Sequence, residues 1–167
     1  MRKLMKTSYK TLFTALAALS LTACSSVDLD KDKDLAAQGD MEAIQKALND
    51  PNSPLAKKEV HFGFDSYSVE PNEMPVVQNH SRFLNANKNL KVVLEGNTDE
   101  RGGREYNLAL GQKRAEAVKS RMTLMGVNPD QIETVSFGKE KPRSLGNDEA
   151  SYADNRRVDI RYNLPNN

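Results

Sequence analysis

An acidic and a basic residue stand out because their spacing predicts that they meet at one site. Asp99 lies in a loop that Gly96 and Gly102 bracket, and Arg114 lies in the long periodic segment that follows. Leu110 precedes Arg114 by four residues, so both occupy one face of a helix. A carboxylate and a guanidinium at one mouth suit a ligand with an ammonium and a carboxylate. Asp99 would bind the ammonium, and Arg114 would hold the carboxylate through two parallel hydrogen bonds.

A plainer interpretation of the same two residues stays open from sequence alone. Aspartates in loops and arginines on helices commonly pair with each other or face solvent, and such surface pairs contribute only about 0–1 kcal/mol to stability. The spacing of Asp99 and Arg114 makes a binding site chemically sensible without establishing it.

Residues for other kinds of chemistry are scarce. The chain has one cysteine, Cys24, and its two histidines, His61 and His80, fall in different predicted elements, so we predict no metal site. An enzyme would need an activated nucleophile, a metal or a tuned pair of carboxylates. Asp65 and Asp99 could meet as such a pair, but nearby arginines would keep both ionised. The sequence therefore favours a binding protein over an enzyme.

The elements that must position these residues follow the order of a small α/β sandwich. Helices are predicted after Pro71 and over Tyr106–Met125, with Gly126 as the stop signal of the second. The order βαβαβ with a further strand predicts helices packed on one face of a mixed four-stranded sheet. The predicted strands are Val60–Phe64, Leu90–Glu95, Ile132–Phe137 and Val158–Tyr162.

The first 23 residues differ in composition from the rest of the chain. They carry four bases and no acid, and they end in an uncharged run from Thr11 to Ala23. That run is too short to span roughly 30 Å of hydrocarbon, but it suits a secretory signal. All 23 acids and the other 20 of the 24 bases follow Ala23, so the remainder has a formal charge of −3. This balance excludes a polycation that works on nucleic acid.

The leader ends in Leu21-Thr22-Ala23-Cys24, which resembles a bacterial lipobox. In that motif the cysteine becomes the acylated first residue of the mature protein, and the alternative is a standard signal with an incidental cysteine. Ser25 at the next position is typical of sorting to the outer membrane. We therefore predict a signal peptide over residues 1–23 and covalent lipid on Cys24, with no other cofactor. Several acyl chains would anchor the domain stably to the outer membrane, facing the periplasm.

Residues 24–58 are polar and predict a flexible tether, and the folded domain is predicted over residues 59–163. Apolar positions at helical spacing between Leu35 and Leu48 allow one short helix, but they are too few for a core. A flexible segment of this length would span about 30 Å on average. It would reach roughly 110 Å when fully stretched.

Four sequence motifs occur in the order that is typical of one family. Together they resemble the OmpA-like peptidoglycan-binding domain, and the lipobox points to the lipoproteins of that family. The motifs are Phe62-Gly-Phe-Asp-Ser-Tyr67, Val92 to Gly102, Tyr106-Asn-Leu-Ala-Leu-Gly-Gln-Lys-Arg-Ala115 and Asn155-Arg-Arg-Val-Asp159.

The resemblance implies an OmpA-like fold and non-covalent binding of the diaminopimelate in peptidoglycan stem peptides. By this resemblance Asp99 and Arg114 would hold the amino-acid head group, and Asp65 and Arg101 would line the same pocket. The full set of matching positions is Asp65, Thr98, Asp99, Arg101, Leu110 and Arg114. Asn97 stands where the family often has histidine, which puts an imidazole contact in doubt.

The resemblance also implies the partners. They are peptidoglycan, the outer membrane through the lipid, and the periplasmic propeller protein of the Tol system; no nucleic acid is expected. The leading hypothesis is a tether between the outer membrane and the wall. A periplasmic protein-interaction module, for which wall binding is secondary, remains the alternative.

Overall fold

The computed structural model describes residues 41–164 of the chain. The predicted signal peptide, the predicted lipidation site Cys24 and the first part of the predicted tether lie outside these residues. No helix in the described range is long and apolar enough to cross a bilayer. The elements are α1 (residues 41–49), β1 (Glu59–His61), α2 (Met74–Ala86), β2 (Lys91–Asn97), α3 (Arg104–Leu124), β3 (Ile132–Gly138), α4 (Glu149–Asn155) and β4 (Arg157–Asn163).

The four strands form one mixed sheet in the order β1-β4-β2-β3, which confirms the predicted fold class. Strand β4 runs antiparallel to β1 and β2, and β2 runs parallel to β3. The inward side chains of β2 meet α2 and α3 in one apolar core. This core includes Val77, Leu84, Val92, Leu94, Val118 and Met122, all of them nearly inaccessible to solvent.

The predicted tether is too long at its carboxyl end. Leu48 and Leu55 are buried, and the Lys57 ammonium pairs with Glu73 at 2.9 Å. The Ile160 amide donates to the carbonyl oxygen of Lys58 at 2.8 Å. Residues 41–58 have too few apolar groups for a core of their own, as predicted. They cover a core that other segments build, and the folded part therefore begins before residue 59.

The segment before the last strand contains helix α4, which the sequence analysis did not predict. Helix α4 begins after Asp148, whose side chain accepts a hydrogen bond from the Ser151 amide at 2.7 Å. This is a standard helix amino-terminal cap. Helix α4 matters because it brings Glu149 and Tyr152 to the candidate site described below.

Helix α3 crosses β2 at two glycines that touch through their backbones. A Cβ atom built on Gly96 would lie 1.9 Å from the carbonyl oxygen of Gly111. No side-chain rotation can relieve such an overlap, because the obstacle is backbone. The Gly96–Gly111 contact thus sets how closely the helix that carries Arg114 approaches the strand that leads to Asp99.

We expect Gly96→Ala to destabilise the domain by about 2–4 kcal/mol, since the helix must move away from the sheet. Urea unfolding followed by circular dichroism measures the loss. Gly103→Ala is the matched control, because a Cβ there meets nothing within 4 Å, and it should change stability by less than about 1 kcal/mol. Equal effects of the two substitutions would contradict the close-contact argument.

His80 is buried in the core with both ring nitrogens engaged. Nε2 lies 2.9 Å from the carbonyl oxygen of Lys57, and Nδ1 lies 2.7 Å from the Tyr162 hydroxyl. A carbonyl can only accept, so Nε2 carries the proton and the neutral Nδ1 accepts from Tyr162. Burial lowers the pKa of His80 below its ordinary value.

The lowered pKa of His80 predicts a pH-dependent stability. Between pH 7.5 and 5.5 the unfolded chain takes up a proton on this histidine before the folded chain does, so the free energy of unfolding should fall as the pH falls. The slope from one group is at most about 1.4 kcal/mol per pH unit. Urea unfolding across this range should show a flatter profile for His80→Asn than for the parent. An unchanged slope in His80→Asn would refute the assignment.

Candidate functional site

A cavity of about 260 Å³ lies where β2 ends and α3 begins. Its walls are the β2–α3 loop, the first turns of α3 and the segment that follows β1. All six sequence-predicted residues line it, namely Asp65, Thr98, Asp99, Arg101, Leu110 and Arg114. The structure therefore brings the predicted set to one place, and their role in binding a ligand stays a prediction.

Asp99 is buried at the cavity wall and held by two arginines. Arg101 donates to it from Nη2 at 2.6 Å and from Nε at 3.2 Å, and Arg156 donates from Nη1 at 3.3 Å. Burial by itself would raise the pKa of Asp99, but the hydrogen bonds from Arg101 and Arg156 outweigh it and hold that pKa below its ordinary value. Asp99 is therefore ionised at neutral pH, as a site for a cation requires.

Arg114 is fully buried and already has three hydrogen-bond partners. Its Nε donates to the carbonyl oxygen of Ser66 at 2.7 Å, Nη1 to that of Asn97 at 2.9 Å and Nη2 to that of Gly63 at 3.1 Å. The sequence predicted that the Arg114 guanidinium is free to bind a ligand carboxylate. It is instead largely occupied, because three of its five N–H groups bind backbone carbonyl oxygens. Burial, with the nearby charge of Arg156, lowers the pKa of Arg114 to about 10, so it stays charged at neutral pH.

Neither interpretation of the pair Asp99 and Arg114 describes its geometry. The plain alternative had them pairing with each other or facing solvent, but both are buried and each has different partners. The two charges still act on each other, since Asp99 opposes the fall in the pKa of Arg114. Arg114 joins the segment after β1 to the end of β2, which makes it a structural residue of the cavity floor.

The Arg101 side chain lies at the cavity mouth between two aromatic rings. Its guanidinium carbon is 4.3 Å from the centre of the Phe64 ring and 4.4 Å from that of Tyr152. Glu149 lies 3.6 Å away, and the hydrogen bond to Asp99 raises the pKa of Arg101. Stacking on two rings suits a planar guanidinium. Arg101 therefore closes the cavity above Asp99.

Asp65 has a backbone conformation that is rare for residues other than glycine. Its φ angle is 51°, in the left-handed region, and its carboxylate accepts a hydrogen bond from the Tyr106 hydroxyl. That hydrogen bond raises the pKa of Tyr106. Such strained conformations concentrate at ligand-binding sites, and aspartate tolerates this region better than most residues. The strain supports a functional role for this loop.

The β2–α3 loop is held in shape by donors from three directions. The Thr98 amide donates to the carbonyl oxygen of Gly138 at 2.8 Å, and the buried Asn107 side chain donates to that of Arg101 at 2.8 Å. Lys139 donates to the carbonyl oxygen of Gly102 at 2.9 Å. The loop thus presents Asp99 from a fixed backbone, which reduces the entropy lost on binding.

Asn97 contributes to the site through its backbone alone. Its carbonyl oxygen accepts from Arg114, while its side chain donates to Asp159 at 3.1 Å and to the carbonyl oxygen of Glu95 at 3.0 Å. The side chain is not among those lining the cavity. The Asn97 side chain therefore supplies no counterpart to an imidazole contact in this cavity.

Sequence reasoning did not assign several residues that shape the cavity. Asn107 had a signal, since it lies seven residues before Arg114 on the same helix, and Arg156 belonged to a motif of the family resemblance. Phe64 and Tyr106 also lay within motifs of that resemblance, but no role was assigned to them, because exposed aromatic side chains are found on many surfaces without a role. Tyr152 had no such signal. Tyr152 also comes from α4, which the sequence analysis did not predict.

A known family model matches the part of the chain that forms this cavity. The model of the OmpA family matches residues 61–156, which contain the cavity-lining residues and strand β2 that leads to Asp99. The chain belongs to the OmpA family. This match identifies the mixed sheet with its two long helices as an OmpA-family domain.

Three relatives of this OmpA-family chain carry the same name. A peptidoglycan-associated lipoprotein of Pasteurella multocida (strain Pm70) is 43% identical over 159 residues, which cover 95% of this chain and 100% of that protein. The one of Haemophilus influenzae is 41% identical, covering 92% and 97%. The crystal structure of the peptidoglycan-associated lipoprotein from Burkholderia pseudomallei has a TM-score of 0.68 and 57% identity, covering 70% of this chain and 98% of that one.

Proposed function

We propose that this chain is an outer-membrane lipoprotein that binds diaminopimelate-containing peptidoglycan and so tethers the membrane to the wall. The observation that carries the proposal is the cavity at the start of α3, which combines an ionised Asp99 with two arginines within reach of a small ligand. The free end of a diaminopimelate residue bears an ammonium and a carboxylate on one carbon. Charges of both signs in one cavity complement such a head group.

The relatives support this proposal. Proteins named peptidoglycan-associated lipoprotein match 95% and 92% of this chain. The proposed lipid on Cys24 would hold the membrane end, and the domain would hold the wall end. We predict that Cys24→Ala moves the protein from the membrane fraction to the soluble fraction and abolishes labelling by radioactive palmitate. A variant that stays membrane-bound and labelled would exclude this anchor.

A single site of this kind binds modestly. One head group offers about three or four charge-assisted hydrogen bonds, each contributing about 1.5–3 kcal/mol before the costs of association. Many copies anchored in one membrane and facing one polymeric wall gain through effective concentration. Weak single sites of this kind are sufficient to attach two layers of the envelope to each other.

The test of wall binding uses the complete chain, extracted from membranes in mild detergent and sedimented with purified peptidoglycan. Diaminopimelate-type wall is compared with wall that has lysine at the same position, which lacks the second carboxylate. We expect the protein to pellet with the first wall and to remain in the supernatant with the second. Failure to pellet with either wall would refute the proposal, and equal pelleting would refute recognition of the head group.

A protein partner at the same face is the second candidate function. Phe64 and Tyr106 line the cavity, Tyr67 follows the lining residue Asp65 by two positions, and all three side chains are more than half exposed. Exposed aromatic residues of this kind are enriched at protein interfaces. They favour an additional contact with the periplasmic propeller protein of the Tol system, as part of a Tol–Pal system. Co-purification that soluble stem peptide competes away would support it, and a complex that stem peptide leaves intact would place the contact elsewhere.

A further inference from the structure

Residues 41–56 form a segment, here called the strap, that lies on the domain without being part of its main apolar core. The buried side chains of the strap are Leu48 and Leu55, and that core includes neither of them. Ile44 is partly buried and packs against the core from outside. Leu48 also lines a cavity of about 260 Å³ together with Tyr162 of β4. Side chains beside a gap lose dispersion contacts, so the strap is held less tightly than the core elements.

Polar contacts between the strap and the domain are also few. Within the described part of the chain, one hydrogen bond crosses between them, from the Asn79 side chain to the carbonyl oxygen of Pro54 at 3.2 Å. The turns of the strap are closed by internal bonds, in which the carbonyl oxygen of Asp50 accepts from the Ser53 amide and that of Ser53 accepts from the Ala56 amide. Segments with so few contacts open locally, at a lower free energy than the whole domain.

The chain is firmly attached immediately after the strap. The carbonyl oxygen of Lys57 accepts from the buried His80 at 2.9 Å, and that of Lys58 accepts from the Ile160 amide at 2.8 Å. Strand β1 follows, and its Val60 is inaccessible to solvent. All residues that line the candidate site come later in the chain. Detachment of the strap can therefore end at these contacts and leave the site intact.

The point at which the chain joins the domain limits how far the domain can lie from a lipid on Cys24. Met41 follows Cys24 by 17 residues, and Lys57 follows it by 33. An extended chain spans about 3.3 Å per residue, so its greatest reach is about 55 Å with the strap docked and roughly 110 Å with the strap detached. Detachment of the strap thus doubles the greatest distance between membrane and domain.

We propose that the strap is a load-dependent extension of the tether. When the wall lies beyond the reach of the docked form, tension acts on Met41 and detaches the strap from its amino-terminal end, while the core and the site stay folded. The apolar contacts then break one after another, which takes less force than breaking the core at once. The inference rests on the proposed function for its source of tension, and it goes beyond that function by giving the tether two lengths.

The test pulls on single molecules of the complete chain in optical tweezers. The two handles are attached through Glu42→Cys, at the start of the strap, and Glu105→Cys, exposed in the first turn of α3 beside the site. Cys24→Ala is included so that these two thiols are the only ones in the chain. Leu48→Ala weakens the strap, and Leu124→Ala is the matched control because it truncates an exposed leucine at the far end of α3.

We expect the parent to lengthen first by about 30–50 Å in a reversible step, as the strap extends, and to unfold only at a higher force. At the force that keeps the parent's strap docked half of the time, Leu48→Ala should lower the ratio of docked to detached molecules by at least about ten-fold, because a buried leucine is lost. Leu124→Ala should keep this ratio within about two-fold of the parent's.

Unfolding of the parent in a single step would overturn the inference, because the strap would then belong to the same cooperative unit as the core. A Leu48→Ala protein whose main unfolding force falls as much as that of the first step would overturn it too. Neither lipid nor wall takes part in this experiment. A missing first step therefore leaves wall binding untouched, whereas failure to sediment with the wall refutes the proposed function and removes the source of the tension.

Discussion

Asp99→Asn is expected to weaken binding to diaminopimelate-type peptidoglycan by at least about thirty-fold. The substitution keeps the shape of the side chain but removes the charge that an ammonium needs, and loss of one member of a buried charge pair costs about 2–5 kcal/mol. The amount of wall that pellets half of the protein measures the change. We expect a large effect because Asp99 is the buried carboxylate of this cavity. Arg101 and Arg156 hold it in the orientation in which it would meet the ligand.

The control for Asp99→Asn is Asp130→Asn. Asp130 is exposed in the turn that follows α3, at the end of that helix away from the cavity. Asp130→Asn removes the same charge from the chain, so the comparison of the two variants separates a local effect of Asp99 from the effect of net charge. Suppose that Asp99→Asn melts within a few degrees of the parent and that its affinity for the wall is within three-fold of the parent's. This result would show that Asp99 is not part of the binding site.

Arg114→Ala is expected to lower the stability of the domain by about 3–5 kcal/mol, which is a large share of the total for a domain of this size. The substitution removes one donor from each of three carbonyl oxygens, those of Gly63, Ser66 and Asn97. The melting temperature followed by circular dichroism should fall by more than about 10 °C. Arg114→Lys should be intermediate, since an ammonium has three donors but lacks the planar fork.

Wall binding by Arg114→Ala has to be measured together with its stability, because binding would be lost through unfolding as well as through a lost ligand contact. Arg121→Ala is the matched control, as it removes an exposed arginine from the last turn of the same helix. It should melt within about 3 °C of the parent. A stable Arg114→Ala protein that no longer binds the wall would instead make Arg114 a direct ligand residue.

Local sequence patterns were sufficient to predict the framework of the fold. Gly126 after α3 marks a helix end that the structure confirms, because the positive φ of a glycine acts within one or two residues. The segment Leu90–Glu95 likewise predicted strand β2, which the structure places at Lys91–Asn97. Residues 41–58 were misjudged because the burial of Leu48 and Leu55 depends on a surface that distant segments form.

The sequence by itself determined which residues make up the site. The chain carries Asp99 on a loop and Arg114 on the following helix, and the helical repeat places Leu110 and Arg114 on one face. The tertiary structure alone decided what each charge binds. Arg114 reaches carbonyl oxygens 48 and 51 residues earlier in the chain, and Arg156 reaches Asp99 from 57 residues later. Such pairings depend on how the sheet brings chain segments together, and no local periodicity encodes them.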